Sequence, residues 1–196
     1  MTDATTSLPD KSNGCTGTTS QVRFGGVGGQ GVVLAGRLLG RAAALFDGKE
    51  AVCTQTYGPE ARGGASRADV IVSNDPVDYP FVTEADVLAV FFQEAYMKFR
   101  SGLRPGGMLI FDTGLVQPSE NGENVYGIPA TEIAEGLGSR LVTNIVMLGF
   151  LLGKTGVVSR ESMEQSIRSM VKEQFVELDM KALDAGISLA QGDAMA

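Results

Sequence analysis

The sequence predicts an α/β domain with an open, mostly parallel sheet, helices on both faces and a helical carboxyl-terminal part. A short β-type run at residues 21–24 enters the cluster Gly25-Gly26-Val27-Gly28-Gly29-Gln30-Gly31 and leaves it as a helical run, VVLAGRLLGRAAALF, at 32–46. Short apolar runs then alternate with helical ones, the sequence mark of βαβ units. The run DVLAVFF at 86–92 is apolar without alternation, as a central parallel strand covered on both faces must be.

Each element follows in order. Residues 32–46 space Ala and Leu at helical intervals with few polar residues, which predicts a helix largely buried against the sheet. Strands are expected at 51–54, 68–73 and 86–92. A helix over 93–101 runs into Arg104-Pro105-Gly106-Gly107, a turn signal, before a strand at 108–112 and a further one at 124–127. The rest reads as helix. It comprises 131–137 after Pro129, the apolar NIVMLGFLL at 144–152, a segment capped by Ser159, and 175 to about 189. In the Ser159-capped helix, Met163, Ile167, Met170 and Val171 share one face. The expected organisation is a polar, disordered leader over 1–20, a single domain over 21–190 and a tail over 191–196.

Composition narrows the function. The 196 residues suffice for a real core, with 43% hydrophobic and 20% charged side chains. A net charge of −7 repels phosphate backbones and anionic lipid, so nucleic acid and membrane are poor partners. No apolar run approaches the roughly 20 residues that span a bilayer. The first twenty residues lack the basic and apolar regions of a signal peptide, and the cytoplasm is the expected location. The chain has no His, which removes the commonest general base and metal ligand. Its cysteines, Cys15 and Cys53, are too few for an iron–sulfur cluster, which takes about four thiolates, and suggest no disulfide scaffold. Cys53 lies in an apolar run and is expected as a small buried hydrophobe.

Three places could carry chemistry. Gly26, Gly28 and Gly31 satisfy G-x-G-x-x-G between a strand and a helix. Backbone without Cβ approaches a phosphate closely, and a helix start favours an anion. The same glycines also serve a tight turn and close packing, so both readings stand. A nicotinamide cofactor fits less well, because the expected acid at the end of the second strand is missing from Ala51-Val52-Cys53-Thr54-Gln55-Thr56. The second place is Tyr57-Gly58-Pro59-Glu60-Ala61-Arg62-Gly63-Gly64-Ala65-Ser66, where a plain α/β domain would have a crossover helix and where Gly and Pro forbid one. Arg62 offers a planar fork for carboxylate or phosphate, and the loop reads as ordered against a ligand or partner chain. The third is Gln93-Glu94, at the end of the DVLAVFF strand and facing the same crevice, or simply decorating a helix start. Asn144 is open between capping its helix and contacting a ligand.

Together these residues resemble the gamma subunit of 2-oxoacid:ferredoxin oxidoreductases. The resemblance rests on G-x-G-G-Q-G-x-x-x-A-G at 26–36, on Y-G-P-E-x-R-G-G-x-S at 57–66, on Asp78-Tyr79-Pro80, and on N-x-V-M-L-G at 144–149; it covers roughly 21–190. It implies a Rossmann-like domain serving a larger complex. In that complex, thiamine-binding alpha and beta subunits carry thiamine diphosphate and magnesium. The 4Fe–4S clusters also sit on other subunits, and a ferredoxin-like delta subunit or ferredoxin takes the electrons. Coenzyme A receives the acyl group, and the form of the 57–66 loop leans toward 2-oxoglutarate. The resemblance further implies no covalent catalysis here. Gly26, Gly28, Gly29, Gln30 and Gly31 would shape an anion-receiving turn. Tyr57, Glu60, Arg62, Gly63, Gly64, Ser66 and Asn144 would be contacts toward coenzyme A or a neighbouring subunit. The rival reading is a free-standing nucleotide-binding or regulatory module, which leaves the 57–66 loop unexplained.

Overall fold

In the computed structural model the described residues are 19–56, 64–119 and 121–192. β1 (Thr19–Val27) leads into α1 (Val32–Arg41), which widens into a π-helical turn, Ala42–Phe46. β2 (Glu50–Thr56), β3 (Ala65–Ser73), β4 (Ala85–Val90), α2 (Gln93–Phe99), β5 (Leu103–Asp112) and β6 (Val125–Ile128) follow. The chain continues as α3 (Ala130–Gly136), α4 (Thr143–Thr155), α5 (Arg160–Met170) and α6 (Glu173–Gln191). The six strands form one sheet in the order β2-β3-β1-β4-β5-β6. β1, β4, β5 and β6 pair in parallel, whereas β3 runs antiparallel to both β1 and β2, so β3 alone is reversed.

The period-two alternation of the strands divides the core. Val22, Phe24, Val70, Val72, Val87, Ala89, Phe91 and Ile110 join a cluster that takes in side chains of α1, α3, α4, α5 and α6. Leu88, Val90 and Leu109 point the other way, onto Ala95, Tyr96 and Phe99 of α2. The sheet is therefore covered on both faces as expected, but unequally. On the thick side α4 is buried almost throughout, because it lies among α1, α3 and α6. There α4 and α6 meet backbone to backbone. A Cβ on Gly149 would strike the Leu183 carbonyl oxygen, and one on Gly186 the Val146 carbonyl oxygen.

The thin face buries an ion pair. Arg23 and Asp69, directly opposite on β1 and β3, bond bidentately at 2.8 and 2.9 Å, with side chains 6% and 3% exposed. The guanidinium also donates to the Val82 carbonyl at 2.9 Å, which ties the 74–84 connection down over the sheet. Nearby, Asp86 accepts from the Gln21 amide and from Arg104, both at 2.6 Å.

Several expectations need correction. β1 starts at Thr19, inside the expected leader, because its hydroxyl and Ser73 bond at 2.9 Å across the paired strands. β3 pairs antiparallel with β2, so the strand beside the edge interrupts the parallel order expected of the sheet. The Arg104–Gly107 signal lies within β5, where Gly106 takes φ 74° and the register against β4 shifts. Cys53 is exposed rather than buried, because β2 is an edge strand. Its Sγ would lie 3.6 Å from a Cβ on Gly36 of α1, and the partial burial there pushes the thiol pKa up.

Candidate functional site

The parallel strands direct their carboxyl ends, and the loops that follow them, to one end of the sheet. β1 arrives there as Gly25-Gly26-Val27 and turns through Gly28–Gly31 into α1. The turn is closed by the Gln30 amide donating to the Val27 carbonyl at 3.2 Å, with Gly29 at φ 93° and Gly31 at φ 71°. Gly31 is the cap residue of α1, so the helix begins without any side-chain cap.

The glycines of this turn fall into two kinds. A Cβ on Gly26 would come within 2.7 Å of both Gln30 Oε1 and Val32 Cγ2, and one on Gly31 within 2.5 Å of Asn144 Nδ2. These two are required by the chain's own packing. Around Gly28 and Gly29 a Cβ would meet nothing among the described residues within 4 Å, and whereas Gly29 needs glycine for its φ, Gly28 has no left-handed φ to demand it. Their backbone faces outward.

Gln30 turns inward instead. Its Oε1 accepts from the Val27 amide and its Nε2 donates to the Phe91 carbonyl, each at 2.9 Å, so one carboxamide spans the ends of β1 and β4. Asn144, 1% exposed near the start of α4, donates to the Gly31 carbonyl at 3.2 Å. It does not cap α4, whose cap residue is Val142; it pins the turn from the thick side. Its Oδ1 is buried without a partner among the described residues.

Ser66 and Gly64 sit beside this turn. The antiparallel register sets Ser66 opposite Gly26 and Ala65 opposite Val27, so the start of β3 flanks the glycines. This placement also bears on the nicotinamide reading. The strand next to β1 on that side is the reversed β3, so β2 cannot bring an acid to a ribose beside the turn. Tyr57, Glu60, Arg62 and Gly63 lie outside the described residues, as does Cys15. Gln93 reaches across to bond both polar groups of the Gln117 backbone, at 2.7 and 3.3 Å, and so braces the loop after β5. Glu94 is exposed in the first turn of α2.

Two features escaped the sequence reading. Asp112, at the end of β5 and 1% exposed, accepts from the Gly114 amide at 2.9 Å and from the Thr131 amide and hydroxyl at 2.9 and 2.5 Å. It thereby joins the loop after β5 to the start of α3, and Asp-Thr-Gly at a strand end was the available signal. Leu141, one turn ahead of Asn144, is 77% exposed, an apolar side chain with nothing of this chain to cover it among the described residues. No group of three His, Cys, Asp or Glu among the described residues could hold a metal ion, and no described helix is long and apolar enough to cross a membrane.

Comparison with known proteins bears on the family and the fold. Residues 21–189 match the family described as pyruvate ferredoxin/flavodoxin oxidoreductase. The 2-oxoglutarate synthase subunit KorC of Methanocaldococcus jannaschii is 45% identical over 175 residues, which cover 87% of this chain and 94% of that protein. The gamma subunit of a keto/oxoacid ferredoxin oxidoreductase from Geobacter sulfurreducens superposes with a TM-score of 0.79 at 40% identity, over 88% of this chain and 99% of that one. A 2-oxoglutarate:ferredoxin oxidoreductase from Magnetococcus marinus, solved with 2-oxoglutarate, coenzyme A and succinyl-CoA bound, has a TM-score of 0.81 at 25% identity, over 92% of this chain and 32% of that one. This chain belongs to the pyruvate ferredoxin/flavodoxin oxidoreductase family and is a gamma subunit of a multisubunit 2-oxoacid:ferredoxin oxidoreductase.

Proposed function

We propose that the chain serves a complex that oxidatively decarboxylates 2-oxoglutarate to succinyl-CoA, and that its glycine turn is the face presented to coenzyme A. One observation carries the second half of this reading. Gly28 and Gly29 expose bare backbone that no other described residue covers, at the uncapped start of α1. Such a surface suits a phosphate or diphosphate brought to a helix N-terminus. The relatives support the substrate: one is named a 2-oxoglutarate synthase subunit, and another was solved with 2-oxoglutarate and coenzyme A.

The chemistry of decarboxylation and electron transfer belongs, on this reading, to partner subunits. Thiamine diphosphate and magnesium sit on alpha and beta subunits, and the 4Fe–4S clusters feed a ferredoxin-like delta subunit or ferredoxin, in the cytoplasm. Arg62 then supplies a cation to an anionic group of coenzyme A or to a neighbouring carboxylate. Tyr57, Glu60, Gly63, Gly64 and Ser66 shape that loop's contact.

Purification from the native source should bring thiamine- and cluster-bearing chains in stoichiometric amounts, and recovery of a free, uncomplexed chain from fresh extract would contradict the assignment. In the reconstituted complex, Gly28→Val places an isopropyl group on the approach surface and should raise the KM for coenzyme A by about tenfold. An unchanged KM for coenzyme A would remove the turn from the binding surface.

A further inference from the structure

In a parallel ladder, one residue uses its amide and its carbonyl to reach two positions on the neighbouring strand. The Phe91 amide donates to the Gly25 carbonyl at 2.8 Å. The next rung would join the Val27 amide to the Phe91 carbonyl. In its place stands the Gln30 carboxamide, whose oxygen takes the Val27 amide and whose nitrogen serves the Phe91 carbonyl, each at 2.9 Å. Beyond Gly25, β1 and β4 are thus linked through one amide unit.

That gap lies where open α/β sheets receive ligands. From β1 the chain passes to α1 on the thick face, and from β4 to α2 on the thin face, so the crevice between these two strands is the switch point of the sheet. The plug itself is a side chain, half-buried, on the turn that carries the outward-facing Gly28 and Gly29. Gly26 makes its seat, since a Cβ there would press on Oε1.

We propose that the Gln30 carboxamide is a placeholder for a secondary amide of the ligand, and that the crevice takes the amide-bearing pantetheine arm of coenzyme A when Gln30 swings out. The inference rests on the reading that coenzyme A approaches this turn. An incoming amide offers the same oxygen to the Val27 amide and the same N–H to the Phe91 carbonyl, so no backbone group is orphaned in the exchange. An ester or hydrocarbon chain leaves the Phe91 carbonyl without a donor, which selects for amide.

The reconstituted complex with coenzyme A as the varied substrate gives a test with a definite sign. Gln30→Met keeps the length of the side chain and removes the competing carboxamide, so the KM for coenzyme A should fall, by about threefold to tenfold. A merely bracing Gln30 gives the opposite sign, and a KM that stays level or rises in the assembled complex overturns the proposal. The wild-type complex supplies a second measurement, independent of how the variant folds. Pantetheine, which has no phosphate for the helix start, should compete with coenzyme A, and its doubly N-methylated amide analogue should inhibit at least about tenfold less. Equal inhibition by the two overturns the proposal. Gly28→Val separates the two levels. If that variant leaves the KM for coenzyme A unchanged, the underlying reading fails; if it raises KM while Gln30→Met does not lower it, only the placeholder fails.

Discussion

At the amino half of the sheet Arg23, Asp69, the Val82 carbonyl, the Gln21 amide, Asp86 and Arg104 satisfy one another; at the carboxyl end Gly28 and Gly29 hold backbone out, with nothing among the described residues around it. Both regions flank the same strand, β1. The first is closed electrostatically and owes its geometry to bonds within the chain. The second is fixed from behind, by Gln30 and Asn144, and left open in front. The difference separates residues that make the fold from residues that make a surface for something else. The Gly26/Gly31 and Gly28/Gly29 pairs repeat it within a single turn.

Variants at the two ends should therefore fail in different ways. Asp69→Ala leaves the Arg23 guanidinium buried without its carboxylate, and should cost about 3–5 kcal/mol of stability, read from denaturant unfolding. Gly31→Ala combines a left-handed φ of 71° with a Cβ only 2.5 Å from Asn144 Nδ2, and should cost about 2–4 kcal/mol. Loss of well under 1 kcal/mol there would mean that Asn144 does not pin the turn. Gly28→Ala meets no atom of the described residues and no strained backbone, so its unfolding free energy should stay within about 0.5 kcal/mol of the parent. A large stability loss at Gly28 would erase the distinction between inward and outward glycines.

A pH-dependent effect belongs to a carboxylate away from both ends. Burial raises the Asp179 pKa on α6 to about 6 from the model-compound value of 3.8. The folded chain thus holds a proton that the unfolded chain releases. Asp179 leaves stability intact below about pH 4 and lowers it as pH rises through about 6. Asp179→Asn should flatten that fall, so the gain in melting temperature over the parent grows between pH 4 and pH 7. A gain that is the same at both pH values would show that burial does not perturb this group.

Much of this was legible in the sequence, for local reasons. The strand–glycine–helix unit, the runs of β3 to β5 and the helices after Pro129 follow from periodicity and punctuation. Ser159 caps α5 as expected, its hydroxyl accepting from the Ser162 amide at 3.2 Å. What escaped depends on partners distant in the chain. The reversal of β3 is a choice between a hairpin and a crossover, which the strand's own residues do not encode. The exposure of Cys53 follows from that choice, since it leaves β2 at the edge. Gln30 finds Phe91 and Asn144 finds Gly31 across 61 and 113 residues, so neither role could be read from a motif. The glycine spacing located the turn; only the surrounding atoms divided its glycines into structural and presented ones.

Hydrogen–deuterium exchange on the assembled complex, with and without coenzyme A, tests that division most directly. Coenzyme A should slow exchange at the amides of Gly28, Gly29 and Gln30 and leave peptides covering Asp69 and Val82 unchanged. Unaltered exchange across residues 26–31 at saturating coenzyme A would contradict the assignment of this turn to the ligand.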